Sequence, residues 1–312
     1  MSPAIHLRAF LLSLALLCTN SSAFAADASP EAWPAGVWLV LVFLTALGIG
    51  IFGVMAGIGG GVLFVPLVGS FFPFHIDYVR GAGLFIALGS SLAATPYLLR
   101  QNLASLRLAM PIALIASVFS IIGAQLGLWL SGLNPQYVQG ALGGTIIAIG
   151  LFMLRAPAGR LENVPEMDGL ARRLGLHGTY RGEDGNPMDW TVFRTAKGML
   201  GFIAVGLIAG MFGLGAGWAN VPLINLVMGV PLKIAVATSN LSISIASPAA
   251  WVYLNQGAVL PMLVAPSMLG IMSGSLLGSR ILPYVSSATI RKLVIGVLLL
   301  SGLRSLLKGF GW

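Results

Sequence analysis

Two glycine-rich stretches carry the chemistry this chain can offer. Gly57-Ile-Gly-Gly-Gly-Val-Leu-Phe-Val-Pro66 and Gly213-Leu-Gly-Ala-Gly-Trp-Ala-Asn-Val-Pro222 are near copies, 156 positions apart (213 minus 57), and each interrupts an apolar run. A helix that stops and restarts at such a cluster exposes the first amides of the new helix, which lack carbonyl partners and carry partial positive charge. Gly59, Gly60 and Gly61 in the first stretch, and Gly213, Gly215 and Gly217 in the second, would let an anion approach those amides. Pro66 and Pro222 fit the early turns of the restarted helices, where a missing amide hydrogen costs least. Such a site would suit an oxygen-rich anion such as sulfite or a sulfonate. A single cluster would read equally well as helix packing; two matched clusters with valine and proline at the same offset favour a binding site.

Uncharged polar groups can add hydrogen bonds without adding charge. Thr238, Ser239 and Asn240 are the stronger candidates, because three adjacent polar residues cannot all face one neighbouring helix. Asn220 and Asn225 follow the second cluster, and Ser90, Ser91 and Thr95 lie at membrane depth in the first half. Taken singly, each such residue more often bonds to a neighbouring helix or to its own backbone. The spacings Gly123-x-x-x-Gly127 and Gly274-x-x-x-Gly278 read as close helix packing. Arg80 and Lys233 hold nearly corresponding places in the two halves; either could steer an anion, and snorkelling to the interface is the favoured expectation for both.

The elements that must position these residues are membrane helices. Hydrophobic residues make up 57% of the chain and charged ones only 8%, and the mean hydropathy is +0.93. In lipid, backbone hydrogen bonding leaves helices or a closed barrel, and the long apolar runs select helices. No Asp, Glu, His or Cys falls within an expected span, so a membrane-embedded hydrolase or redox enzyme has no reactive group to assemble. No catalytic residue, metal site or cofactor is expected, and nothing points to nucleic acid. The formal net charge of +8 and the lack of buried negative charge favour an anion as cargo.

Residues 1–25 read as a secretory signal peptide: a weakly basic start (His6, Arg8), a short apolar stretch, and Ala23-Phe24-Ala25. The only cysteine, Cys18, falls inside it, so the mature protein would hold no thiol. A membrane repeat is expected over residues 36–155, with spans near Val37 to Ala56, Gly81 to Leu99, Met110 to Leu130 and Tyr137 to Leu154. A second, over residues 196–309, has spans near Met199 to Phe212, Ile234 to Leu254, Met262 to Leu282 and Lys292 to Leu307. A short apolar piece follows each glycine cluster. If it completes a crossing, each half has five segments and the repeats are inverted; if it dips in and returns, they run parallel. The distribution of Lys and Arg favours the inverted form, an all-α membrane fold with one short, broken helix per repeat and a periplasmic N-terminus. Between the repeats, residues 156–195 hold six of the nine acidic residues and read as a cytoplasmic, solvated connector with a small helix around Leu170 to Leu176.

At Gly57 to Val68, Gly213 to Ile224 and Ala237-Thr-Ser-Asn240, the sequence resembles the TauE/SafE family of membrane transporters, sulfite or organosulfonate exporters. The family's glycine motif maps onto Gly57, Gly59, Gly60, Gly61 and Pro66 and onto Gly213, Gly215, Gly217 and Pro222, and its Thr-Ser pair onto Thr238 and Ser239. The first half departs from it, with Gly83-Leu84 where such a pair would stand, and Ala216 replaces a glycine. The resemblance implies movement of a small sulfur-containing or organic anion across the bacterial inner membrane. The expected function is an alternating-access transporter whose partners are that anion and the lipid bilayer, with a homo-oligomer left open. The rival is a non-transporting scaffold acting through the central linker.

Overall fold

Ala35–Ala56 forms one long helix, α1, because it is apolar throughout with no proline. After the glycine break come α2 (Gly60–Phe71), α3 (Ile76–Arg100), α4 (Leu106–Leu133) and α5 (Pro135–Arg155). A small helix α6 (Gly169–Leu174) and the antiparallel strands β1 (His177–Arg181) and β2 (Pro187–Thr191) follow, with His177 opposite Thr191. The second half comprises α7 (Thr195–Phe212), α8 (Gly217–Pro222) running into a π-helical stretch Leu223–Val227, α9 (Leu232–Ile245), α10 (Ala249–Asn255), α11 (Pro261–Ile281) and α12 (Ser287–Gly309). This computed structural model describes residues 35–56, 59–72, 74–100, 103–155, 167–181, 187–245, 247–281 and 287–310. The signal-peptide expectation, residues 1–25, lies outside them.

Among the described residues, five helices are long and apolar enough to cross a membrane: α1, α3, α4, α7 and α11. On α4, Leu114, Val118, Ile122, Leu126, Trp129 and Leu133 form one exposed apolar stripe at helical spacing, a surface suited to lipid. Several helices begin four or five residues before the expected spans, as at Leu106, Thr195 and Ser287, and two differences bear on the site. The helix placed at Gly81 begins at Ile76, which brings Asp77 and Arg80 into it. The span placed over Ile234 to Leu254 is two helices, α9 and α10, parted around Pro248, whose missing amide hydrogen and ring oppose a continuous helix.

Small residues set which helices touch and in which direction. A side chain at Gly270, Gly274 or Gly278 would strike the carbonyls of Phe43, Leu47 and Ile51 in turn, so α1 and α11 run parallel in close contact. Gly123 and Gly127 meet the carbonyls of Leu207 and Met211, and Gly206 and Gly210 meet those of Ala116 and Ser120, so α4 and α7 are likewise parallel. Both Gly-x-x-x-Gly spacings therefore serve packing, as expected. α5 and α12 run antiparallel: Gly309 lies on Gly140, and Gly150 on Leu299. α2 descends along α3, with Gly60 beside Ile86 and Gly69 beside Ile76. It ends level with the start of α1, where the Phe72 ring lies 5.7 Å from that of Trp38. The 217–227 run does the same along α7, from Leu223 against Gly201 to Met228 against Gly198.

The linker is not the solvated connector expected. Leu176, Trp190 and Val192 are buried with Leu108, Phe202, Ile224 and Met228, so its described part packs onto one end of the bundle. Few apolar residues suffice, because the bundle supplies the other side of the core. Asp168 locks the joint: its Oδ1 accepts from the Ala171 amide at 2.7 Å and the Thr195 hydroxyl at 2.8 Å, and its Oδ2 from the Thr195 amide at 2.7 Å. One carboxylate thus caps α6 and holds the first residue of α7. Desolvation pushes its pKa up, but the bonds from Ala171 and Thr195 outweigh that and hold it below the usual carboxylate range. Asp168→Ala is expected to loosen the linker by ~1 kcal/mol, read as faster proteolytic cleavage within residues 167–195. Because the folded pKa is depressed, this stabilisation is present above the ordinary carboxylate value of about 4. It is lost as pH falls through the folded pKa, and cleavage of the wild type should approach that of the variant there.

Candidate anion site at the two helix breaks

Each break uses positive-φ conformations that glycine adopts without the cost other residues bear. Gly59, the N-cap of α2, has φ 75° and ψ 150° and no side-chain cap, a region open essentially only to glycine. α7 ends at Gly213 with φ 67°, and Gly215 follows at φ 70°. The N-cap positions of α2 and α8, Gly59 and Ala216, make no side-chain cap bond, and in α8 the Ala219 and Asn220 amides bond to the Ala216 carbonyl. Pro66 sits inside α2. After Pro222 the helix widens to the π form, its ring and missing amide opposing regular continuation.

The two breaks abut. A Cβ on Gly61 would stand 2.7 Å from the carbonyl oxygens of both Leu214 and Gly83, the Gly213 carbonyl presses on Gly83, and Gly213 itself lies against the Arg80 backbone. The side-chain directions of Gly60, Gly61, Gly213 and Gly215 are thus filled by protein; at Gly59 nothing lies within 4 Å. The remaining expected residues divide. Asn220 is buried and donates to Ser242 Oγ at 3.3 Å, while Pro222 is half-buried. Gly217 starts α8. On α9, Thr238 accepts from the Ser105 amide at 3.2 Å and Asn240 donates to the Val236 carbonyl at 2.9 Å, so both have protein partners; Ser239 is buried beside them. A cavity of about 350 Å³ lies elsewhere, lined by Gln125, Pro248, Trp251 and Gln256 among others.

Sequence reasoning missed a buried ionic network beside the second break. Arg80, expected at the interface, is fully buried. Its guanidinium donates to Asp77 Oδ1 at 2.6 Å and to the Tyr253 hydroxyl at 2.6 Å, and lies over the Tyr253 ring. Tyr253 donates in turn to the Gly210 and Met211 carbonyls, each at 3.1 Å, at the end of α7, and Ser131 donates to Asp77 Oδ2 at 2.8 Å. Gly127 leaves room for the guanidinium. The available signal was the three-residue spacing of Asp77 and Arg80, which pairs them on one helix face. Lys233 is exposed at the start of α9.

A bundle of apolar helices around two glycine breaks, with lipid-compatible outer faces, is a multi-span membrane protein. The chain belongs to the sulfite exporter TauE/SafE family, which matches residues 42–305. It is similar to the probable membrane transporter protein YunE of Bacillus subtilis (strain 168), 27% identical over 277 residues that cover 86% of this chain and 98% of that relative. No solved structure matches it significantly.

Proposed function

We propose that this protein is a secondary transporter that moves a small anion, sulfite or an organosulfonate, across the bacterial inner membrane by alternating access, with its mature N-terminus in the periplasm. The observation that carries the reading is the abutment of the two glycine breaks, Gly61 against Leu214 and Gly83, and Gly213 against the Arg80 backbone, which supports a shared site where the leading amides of the following helices could hold one anion. Gly59, Gly60, Gly61 and Pro66, with Gly213, Gly215, Gly217 and Pro222, build that cradle, and Asn220, Thr238, Ser239 and Asn240 sort substrates around it. Filled glycine faces fit a carrier caught between openings. The antiparallel pairing of α5 with α12 supports inverted repeats, since helices exchanged by an axis along the membrane normal would run parallel. The scaffold alternative calls for a linker presented to a partner, and the burial of Leu176, Trp190 and Val192 against the bundle speaks for transport instead.

Purified protein in proteoliposomes should show saturable flux of radiolabelled sulfite. Gly60→Ala should lower that flux roughly tenfold, equivalent to about 1.4 kcal/mol, with the fold kept, because the nearest atoms to its methyl belong to the Ile271 and Ile86 side chains, and Ile271 can shift where backbone could not. Absence of saturable wild-type flux would sink the transport reading. Unchanged flux in the variant would remove the break from the site.

A further inference from the structure

The face of α3 turned towards the second break carries polar atoms that nothing in the protein satisfies. Gly213 lies on the Arg80 backbone, its carbonyl on Gly83, and a Cβ at Gly215 would stand 2.7 Å from the Ala87 methyl, so residues 80, 83 and 87 mark that face. Continued at four-residue spacing, the same face bears Ser91 and Thr95. Both are buried, and neither hydroxyl has a hydrogen-bond partner. From this contact α3 and the 217–227 run leave in the same direction. The Ser131 bond to Asp77 sets α3 antiparallel to α4, α4 is parallel to α7, and the 217–227 run is antiparallel to α7. Trp218 and Asn220, in the first turn after the break, therefore lie on the same side of that contact as Ser91 and Thr95. Trp218 Nε1 and Asn220 Oδ1 are buried and unpartnered too.

Buried polar atoms are nearly always paired, so such a concentration calls for a missing partner. Six buried side-chain atoms are unpartnered among the described residues: four belong to Ser91, Thr95, Trp218 and Asn220, and a fifth, Arg80 Nε, is also on α3. Their polarity is also fixed. Ser242 Oγ donates its only hydrogen to the Ser239 carbonyl at 2.8 Å, so it accepts from Asn220 Nδ2, which leaves Asn220 Oδ1 as the free, acceptor-only atom. Ser91, Thr95 and Trp218 each offer a donor.

We propose that Ser91, Thr95, Trp218 and Asn220 line the slot that holds the transported anion, and that this slot selects a monoanion keeping one O–H or N–H group. The proposal rests on the transport reading and names its substrate class. Three donors suit the oxygens of a sulfite or sulfonate head. Asn220 Oδ1 needs a donor from the ligand, and a ligand without one leaves it desolvated and unpaired.

The test is competition against radiolabelled sulfite flux in proteoliposomes by two monoanions of similar shape, 2-hydroxyethanesulfonate and ethanesulfonate. In the wild type the hydroxylated competitor should act at roughly tenfold lower concentration, and in Asn220→Leu the preference should vanish. Ser91→Ala combined with Thr95→Val should lower flux roughly tenfold while the melting temperature of the ligand-free protein holds or rises, because neither hydroxyl has a partner to lose. Equal competition in the wild type, a preference surviving Asn220→Leu, or full flux in the double variant would each overturn the slot. Loss of flux in Gly60→Ala with full flux in the slot variants leaves the break functional and the slot wrong. The reverse pattern leaves the slot standing and the break wrong.

Discussion

Arg80→Met is expected to destabilise the protein by ~3–5 kcal/mol, the range for breaking a buried ion pair by removing one partner. Arg80 is fully buried and joins α3 to α10 through Tyr253, whose hydroxyl in turn holds the end of α7, while Asp77 reaches α4 through Ser131. Without the guanidinium, the Asp77 carboxylate keeps Ser131 but loses its counter-charge. Adding Asp77→Asn should restore much of the loss, because the neutral amide needs no cation. Denaturant titration of the detergent-solubilised single and double variants measures this. A single variant within about 0.5 kcal/mol of wild type, or a double variant as unstable as the single, would show that the network does not hold these helices together.

Gly213→Val is expected to have a comparable effect for a different reason. Its φ of 67° lies in the left-handed region, where a β-branched side chain costs ~1–2 kcal/mol. Its Cβ would also overlap the Arg80 backbone, which cannot swing aside as a side-chain tip can. The two together should exceed about 3 kcal/mol, the level at which marginal domains fail, and read out as loss of folded protein after solubilisation. Gly144→Ala is the contrast: that helical glycine has nothing within 4 Å of a Cβ, so the change should stabilise by ~0.5–1 kcal/mol. If both substitutions proved equally neutral, the close approach of the break to α3 would be wrong.

Much of the helical layout was legible before any coordinates. Apolar runs gave the helices because lipid leaves the backbone little else, and the spacing of Gly123 with Gly127 and Gly274 with Gly278 marked contact faces that the packing bears out. Helix ends were less legible. Apolarity fades before the helix does, so the start at Ile76 was placed late and the ion pair went unseen. Pro248 was within the expected span, yet hydropathy averaging passes over a single proline. The linker was misjudged from composition, which counts a segment's own apolar residues and not the surface on which it docks. In the candidate site, the sequence located the glycines, but not that Gly61 faces Leu214 and Gly83, nor that Thr238 and Asn240 have protein partners.

Residue types alone pointed to a chain that lives in lipid and carries matched glycine clusters that end a helix in each half, because hydrophobicity and missing side chains act locally and leave their mark in the order of residues. Tertiary structure alone decided that the two breaks touch, that Arg80 lies inside the bundle, and that Ser91, Thr95, Trp218 and Asn220 are left unpartnered. Those facts depend on which faces of distant helices meet, and contacts between residues more than a hundred positions apart have no signature in any one stretch of sequence.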